Sequence, residues 1–336
     1  ANITSTGTGN FTAGATWVGG AAPATDQHAI IASGHNVTID ANDSVVSLTV
    51  NSGGTLTGNA SYSITATGEG DATYGTNGYA VKITGTLGAN VNVIVATAGE
   101  TQVDVVQGAG SAMAHLTISK SDSGNVVLHD AAVIIDKLTV TAGTFQQATP
   151  GGSYALTVNG DVSITGGTLS ANGGSQAMSF GSLTIASGGT YSATSGTTTI
   201  TNNTGASGGF TGHGFLNLGG TFTHNFGKLL FTVNAAQDFK FDEEPLYDLE
   251  INQAGHQNFD GKSAEPVTIL GSVALTAGRL RNNGTGSPWT VHGNVYIRTG
   301  ATWETQNATS NIYGSLTIDS GGTYTAGTSA NNFNGG

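Results

Sequence analysis

Carboxylates gather at one place in this chain: Asp238, Asp242, Glu243, Glu244, Asp248 and Glu250 lie close together, interleaved with Phe239, Phe241, Leu246 and Tyr247. Clustered acids serve as an acid–base pair in glycosidic cleavage or as hard oxygen ligands for Ca²⁺. The same run also reads as a junction with solvated acids and buried aromatics, because it lies directly before a repeat that starts at Leu249. The basic and aromatic residues concentrate further on, as Arg279, Arg281 and Arg298 with Trp289 and Trp303. Guanidinium donors beside an indole platform suit stacking on sugars or holding acidic glycans. The alternative is that the two indoles fill corners of the fold and the arginines solubilise an otherwise neutral face.

Other chemistry has less to stand on. The eight histidines, His28, His35, His115, His129, His213, His224, His256 and His292, are scattered. His213 and His224 flank one strand and can approach each other, but a metal needs further ligands. The string Gly205 to Gly209, GASGG, satisfies the esterase pattern G-x-S-x-G. In a chain with 53 glycines such strings arise by chance, and the strand–turn–helix context is missing. No dinucleotide fingerprint, Walker sequence, H-E-x-x-H or G-G-x-G-x-D nonapeptide occurs. The expectation is therefore no catalytic residue, no cofactor and no metal.

These residues must be positioned by whatever the rest of the chain builds, and that part is dominated by one phrase. LTVNSGGTL runs from Leu48, LTIASGGTY from Leu183 and LTIDSGGTY from Leu316, with looser copies from Leu138, Val162, Leu216, Val273 and Val295. Each copy alternates apolar and polar residues, turns on glycine, and opens a second strand with Thr and a large apolar side chain. Starts fall at positions 116, 138, 162, 183, then 249, 273, 295 and 316. Most intervals are about 21–24 residues, enough at about 3.3 Å per strand residue for three short strands and three turns. No stretch holds a 3.6-residue period, and Thr, Gly, Asn and Ser are poor helix formers. The fold class predicted is all-β, a right-handed parallel β-helix (β-solenoid) of about 21–24 residues per rung. A dozen rungs would give a rod on the order of 60 Å long.

A longer period is superposed, since 116, 138, 162 and 183 map onto 249, 273, 295 and 316 with offsets of 133, 135, 133 and 133. The organisation predicted is an N-terminal cap over 1–35, first solenoid rungs over 36–115, one repeat unit over 116–248 and a second, incomplete one over 249–336. The second unit stops part-way, so the expectation is a longer parent protein or an end at Gly336 covered by another subunit.

Nine basic against 21 acidic residues give a net charge of −12, which disfavours nucleic acid and anionic membranes as partners. There is no cysteine, excluding thiolate metal sites and disulfide staples. No apolar run approaches the roughly 18 residues of a membrane span.

The opening stretch adds a resemblance. Trp17-Val-Gly-Gly, then Pro23 and Asp26, an apolar strand, SGHNVTID from Ser33 and LTVNSGGTL from Leu48 resemble the glycine-rich start of eight-glycine domains on extracellular β-helix proteins. The stretch is also similar to solenoid proteins of phage virions and bacterial surfaces. The resemblance runs from Ala1 to about position 60 and implies a β-helix with an N-terminal capping segment; no catalytic motif carries over. Function is accordingly expected to be a non-enzymatic fibre, filament or stalk on a virion or cell surface, extracellular, assembling with itself or with other structural subunits. A glycan-binding adhesin and a polysaccharide-degrading β-helix enzyme remain as alternatives.

Overall fold

A computed structural model describes residues 1–70, 73–74, 77–99, 101–105, 113–122, 124–129, 132–149, 152–203, 205–207, 210–233, 235–253, 258–261, 265–282 and 288–335. It is all-β, with parallel sheets stacked as a β-solenoid of about 13 turns. Among the described residues the one helical segment is a 3₁₀ turn, Gly14–Thr16. The chain divides into two compact units, Ala1–Asn159 with Ile164–Gly174, and Gly160–Ser163 with Ser175–Gly336.

In the first unit, one parallel ladder runs through Asn2–Thr4, His28–Ile31, Ser47–Val50, Asn77–Ile83, Thr101–Val105, Asn125–Leu128, Thr144–Gln146 and Thr168–Ser170. A second ladder joins Gly9–Asn10, Asn36–Thr38, Thr55–Thr57 and Thr86–Leu87. A third joins Asp43–Val45, Ile64–Ala66, Asn92–Val95, Met113–Ser119 and Ala132–Ala142. Strands are short because a coil corner must follow within a few residues, and strand alternation sends every second side chain inward. Leu48, Val50, Leu56, Leu116, Ile118, Leu138 and Val140 are accordingly buried, while the Thr residues between them stay partly exposed.

Within residues 1–35, Asn2–Thr4 and His28–Ile31 already belong to the parallel ladder. Between them the chain folds back along the outer side of the first strand, with Ser5 and Trp17 in an antiparallel bridge and the Val18 N–H donating to the Thr4 carbonyl at 2.9 Å. Trp17 donates from Nε1 to the Phe11 carbonyl at 2.6 Å, and the two buried rings meet edge to face. The pairing covers strand edges that would otherwise be left open.

The second unit follows the same plan. One ladder runs Thr197–Ile200, Lys228–Phe231, Asp248–Asn252, Val273–Ala277, Val295–Ile297 and Leu316–Ile318. Another links Gln237–Lys240, Asn258–Gly261, Arg279–Arg281, Thr302–Glu304 and Thr323–Thr325. A third links Val267–Ile269, Trp289–Val291, Ser310–Ile312 and Asn331–Phe333. The Cα partners Val273↔Val295 and Val295↔Leu316 reproduce the rung length read from the sequence. The coils do not all keep it. Thr198 pairs with Leu229, well beyond one ordinary rung, because the antiparallel pair formed by Gly205–Ser207 and Phe210–Leu218 is inserted in that coil.

Candidate functional site

The carboxylates from Asp238 to Glu250 straddle a corner of the coil, so they point to different partners instead of converging. Asp238 lies on one strand and is buried; Phe239 and Phe241 pack inside. The chain then turns through Asp242 and Glu243, both in the left-handed region at φ 57 and 63. Lys240 is tied to Asp242 at 2.9 Å and to Glu265 at 3.2 Å. On the next strand, Asp248 Oδ1 accepts the Ser272 N–H at 2.7 Å, and Glu250 pairs with Lys228 at 2.7 Å. Glu244 lies between these corners, half-buried. Asp248 and Glu250 are thus used to tie one coil to its neighbour. Among the described residues no three His, Asp or Glu side chains gather around a point that could hold a metal ion.

The arginine and tryptophan residues are brought together, but with their roles divided. Trp289 and Trp303 are inside, 3% and 0% exposed, so neither indole offers a face to a sugar. Both sit at inward positions of short strands, Trp289–Val291 and Thr302–Glu304. They form an internal aromatic column in which Phe239 meets Trp289 at 5.9 Å, Trp289 meets Trp303 at 5.9 Å and Trp303 meets Tyr324 at 6.1 Å, all edge to face. An exposed indole platform is therefore replaced by a packed core, because alternation along these strands turns Trp inward and its neighbours outward.

One of those neighbours, Glu304, is charged. Arg279 and Arg281 flank Leu280, and on the following coil Glu304 accepts from Arg279 Nη2 and, at 3.1 Å, from Arg281 Nε. Burial pushes the Glu304 carboxyl up, and hydrogen bonds from the two guanidinium groups outweigh this, holding it below its ordinary range. Arg298 stands apart, pairing with Asp319 at 3.3 Å and lying over the Tyr296 ring. Of the five residues expected to hold a glycan, the three arginines are thus engaged in ties between coils.

Three histidines make ties of the same kind. His28 Nδ1 is 2.9 Å from Ser47 Oγ, His35 Nδ1 is 2.8 Å from Ser5 Oγ, and His129 Nδ1 is 2.9 Å from the Tyr79 hydroxyl. Burial, with Lys137 nearby, pushes His115 below its ordinary value. His213 is buried at the core while His224 is half-exposed at a corner. His256 lies outside the described residues. Of GASGG, Gly205–Ser207 is one side of the inserted hairpin, and 208–209 lie outside the described residues.

A different set of side chains forms an open, mixed apolar and polar surface. His224, Phe226 and Tyr247 meet at adjacent corners: His224 stacks on Tyr247 at 5.7 Å, and Phe226 meets Tyr247 edge-on at 5.3 Å. Beside them lies a shallow cleft lined among others by Phe222, His224, Lys228, Tyr247 and Asp248. Phe226 is missed by any reading of strand periodicity, since it sits in the turn His224-Asn225-Phe226-Gly227, where no inward position exists. Its signal is that a large apolar residue stands where turns carry polar ones.

Comparison of the chain with protein-family models, with curated proteins and with solved structures returns no match. What this surface does must therefore be argued from its own chemistry.

Proposed function

We propose that the protein is a non-enzymatic structural subunit of a fibre, filament or stalk, displayed outside the cell on a virion or cell surface, where it assembles with copies of itself or with other structural subunits. The observation that carries this reading is the use made of charge. The ion pairs Lys228–Glu250, Arg279–Glu304, Arg281–Glu304 and Arg298–Asp319 each tie one coil to the next, and the interior is filled with Leu, Val, Ile and aromatic side chains. These charged side chains are committed to holding coils together. Such a stack gains reach with every coil added, at the same set of contacts each time.

Sedimentation of the purified protein tests this together with electron microscopy of the source particles. Assemblies larger than the monomer, and antibody labelling along a filament or appendage, are expected. A protein that stays monomeric, labels no surface structure and releases reducing ends from polysaccharide would overturn the reading in favour of a glycan-cleaving enzyme.

A further inference from the structure

Phe226 combines two features that a fold does not favour. It holds a non-glycine backbone in the left-handed region, φ 61, directly after Asn225 at φ 48, and its ring is 72% exposed. A bulky residue in that region is disfavoured by the close approach of Cβ to the backbone. The local structure holds it there. Asn225 Nδ2 donates to Ser192 Oγ at 2.9 Å and to the Ala193 carbonyl at 2.7 Å, anchoring the turn to an earlier coil. The Phe226 N–H donates to His224 Nδ1 at 2.9 Å, and the Gly227 N–H to the His224 carbonyl at 2.9 Å. His224 is thereby fixed as the tautomer with its proton on Nε2, a donor with no partner among the described residues. The Phe226 ring is held edge-on to both His224, at 5.6 Å, and Tyr247.

Around this rigid trio stand polar atoms without partners among the described residues. The Tyr247 hydroxyl makes no hydrogen bond to them, and Asp248 uses Oδ1 on the Ser272 N–H while Oδ2 makes none. Lys228, on the opposite wall, is already neutralised by Glu250. We infer that the corner formed by His224, Phe226 and Tyr247 is a binding site for one pyranose ring of a neutral glycan. The apolar face of a pyranose packs on aromatic rings. Its rim of hydroxyls needs both acceptors and donors, which Asp248 Oδ2, the Tyr247 hydroxyl and His224 Nε2–H supply. With Asp248 in the wall, Lys228 paired and a net charge of −12, an anionic sugar is repelled. This goes beyond the structural role, and gives a fibre built from such subunits a means of attachment.

The test is saturation-transfer NMR and titration calorimetry on the intact protein, with a panel of neutral methyl hexosides and N-acetylhexosaminides and with sialic acid as the anionic comparison. Binding of at least one neutral glycoside, with little or none of sialic acid, is expected. Phe226→Asn is the deciding variant, because Asn tolerates the left-handed backbone and the substitution exchanges the ring for a small carboxamide that offers no stacking face. It is expected to melt no lower than the parent and to weaken glycoside binding about tenfold or more, as is Tyr247→Ala; Trp303→Phe, a change inside the core, is expected to leave binding unaltered. A Phe226→Asn protein that binds glycosides as the parent does, or that unfolds because the ring was a packing element, would overturn the proposal. So would a panel in which no neutral glycoside binds, or in which only a hydrophobic peptide does. None of these outcomes bears on assembly, so the two proposals fail separately.

Discussion

Lys120 and Gln253 occupy equivalent corners of the two internal repeats, one long period apart, each under a left-handed glycine of the following coil, Gly143 and Gly278. Both side chains are buried. Lys120 Nζ donates to the Thr97 carbonyl at 2.8 Å, to Thr97 Oγ1 at 3.1 Å and to the Gly99 carbonyl, and pairs with Asp122 at 3.2 Å. Neither amide atom of Gln253 has a partner among the described residues.

Equivalent positions should therefore answer in opposite directions. Lys120→Met strands carbonyl groups that the ammonium satisfied and is expected to lower stability by about 1–3 kcal/mol. Gln253→Met removes an amide buried without partners and is expected to be neutral or stabilising, by up to about 1–2 kcal/mol. Urea denaturation of the two variants beside the parent measures both; a loss at Gln253 as large as that at Lys120 would mean that the amide is satisfied after all.

Gly271, Gly293 and Gly314 stack coil on coil so closely that a Cβ at Gly293 would lie 2.3 Å from the Gly271 carbonyl oxygen, and one at Gly314 2.2 Å from that of Gly293. The obstacle is backbone, which cannot swing away. Gly293→Ala is expected to cost about 1–3 kcal/mol by forcing the coils apart. Gly300→Ala, at φ 79 with nothing within 4 Å, should cost only its backbone conformation, about 1–2 kcal/mol. Thermal melts showing Gly293→Ala as the milder change would contradict the close approach.

Glu304 links stability to pH. Its folded carboxyl lies below the ordinary value of 4.5, so the unfolded chain takes up the proton first as pH falls. The stabilisation is complete above about pH 5 and is lost as pH drops through the folded value. Glu304→Gln should flatten the stability profile on the acid side while leaving Arg279 and Arg281 less well held at neutral pH. Melting temperatures from about pH 3 to pH 7 decide the matter, and equal acid sensitivity in variant and parent would remove Glu304 from the account.

Trp303 is expected to matter for folding and not for ligands. Trp303→Ala opens a cavity within the Trp289–Trp303–Tyr324 column and is expected to destabilise by about 3–5 kcal/mol. Calorimetric unfolding measures it, and a cost below about 1 kcal/mol would place the indole at the surface.

Amino-acid order alone dictates what is local. Alternating Leu, Thr and Val or Ile followed by glycine specifies a strand, a tight corner and another strand, and the regular spacing of these phrases specifies parallel stacking. It does not say which side of the coil a phrase occupies. The strand after the glycine turn in LTVNSGGTL, Thr55–Thr57, lies in the second ladder of the first unit. Its counterpart after LTVTAG, Thr144–Gln146, lies in the ladder that holds Ser47–Val50. The phase is decided by which strand of the neighbouring coil offers its hydrogen bonds, and inserted hairpins shift it. Side-chain direction is likewise a matter of packing. Trp289 and Trp303 read in sequence either as a platform beside three arginines or as fillers of the fold's corners, and only packing decides: both are core, and on Trp303's strand the outward place is taken by Glu304, which bonds to the neighbouring coil. Phe226 has no periodic place to fill, and only the pairing of its turn with Tyr247 one coil away sets it on the surface.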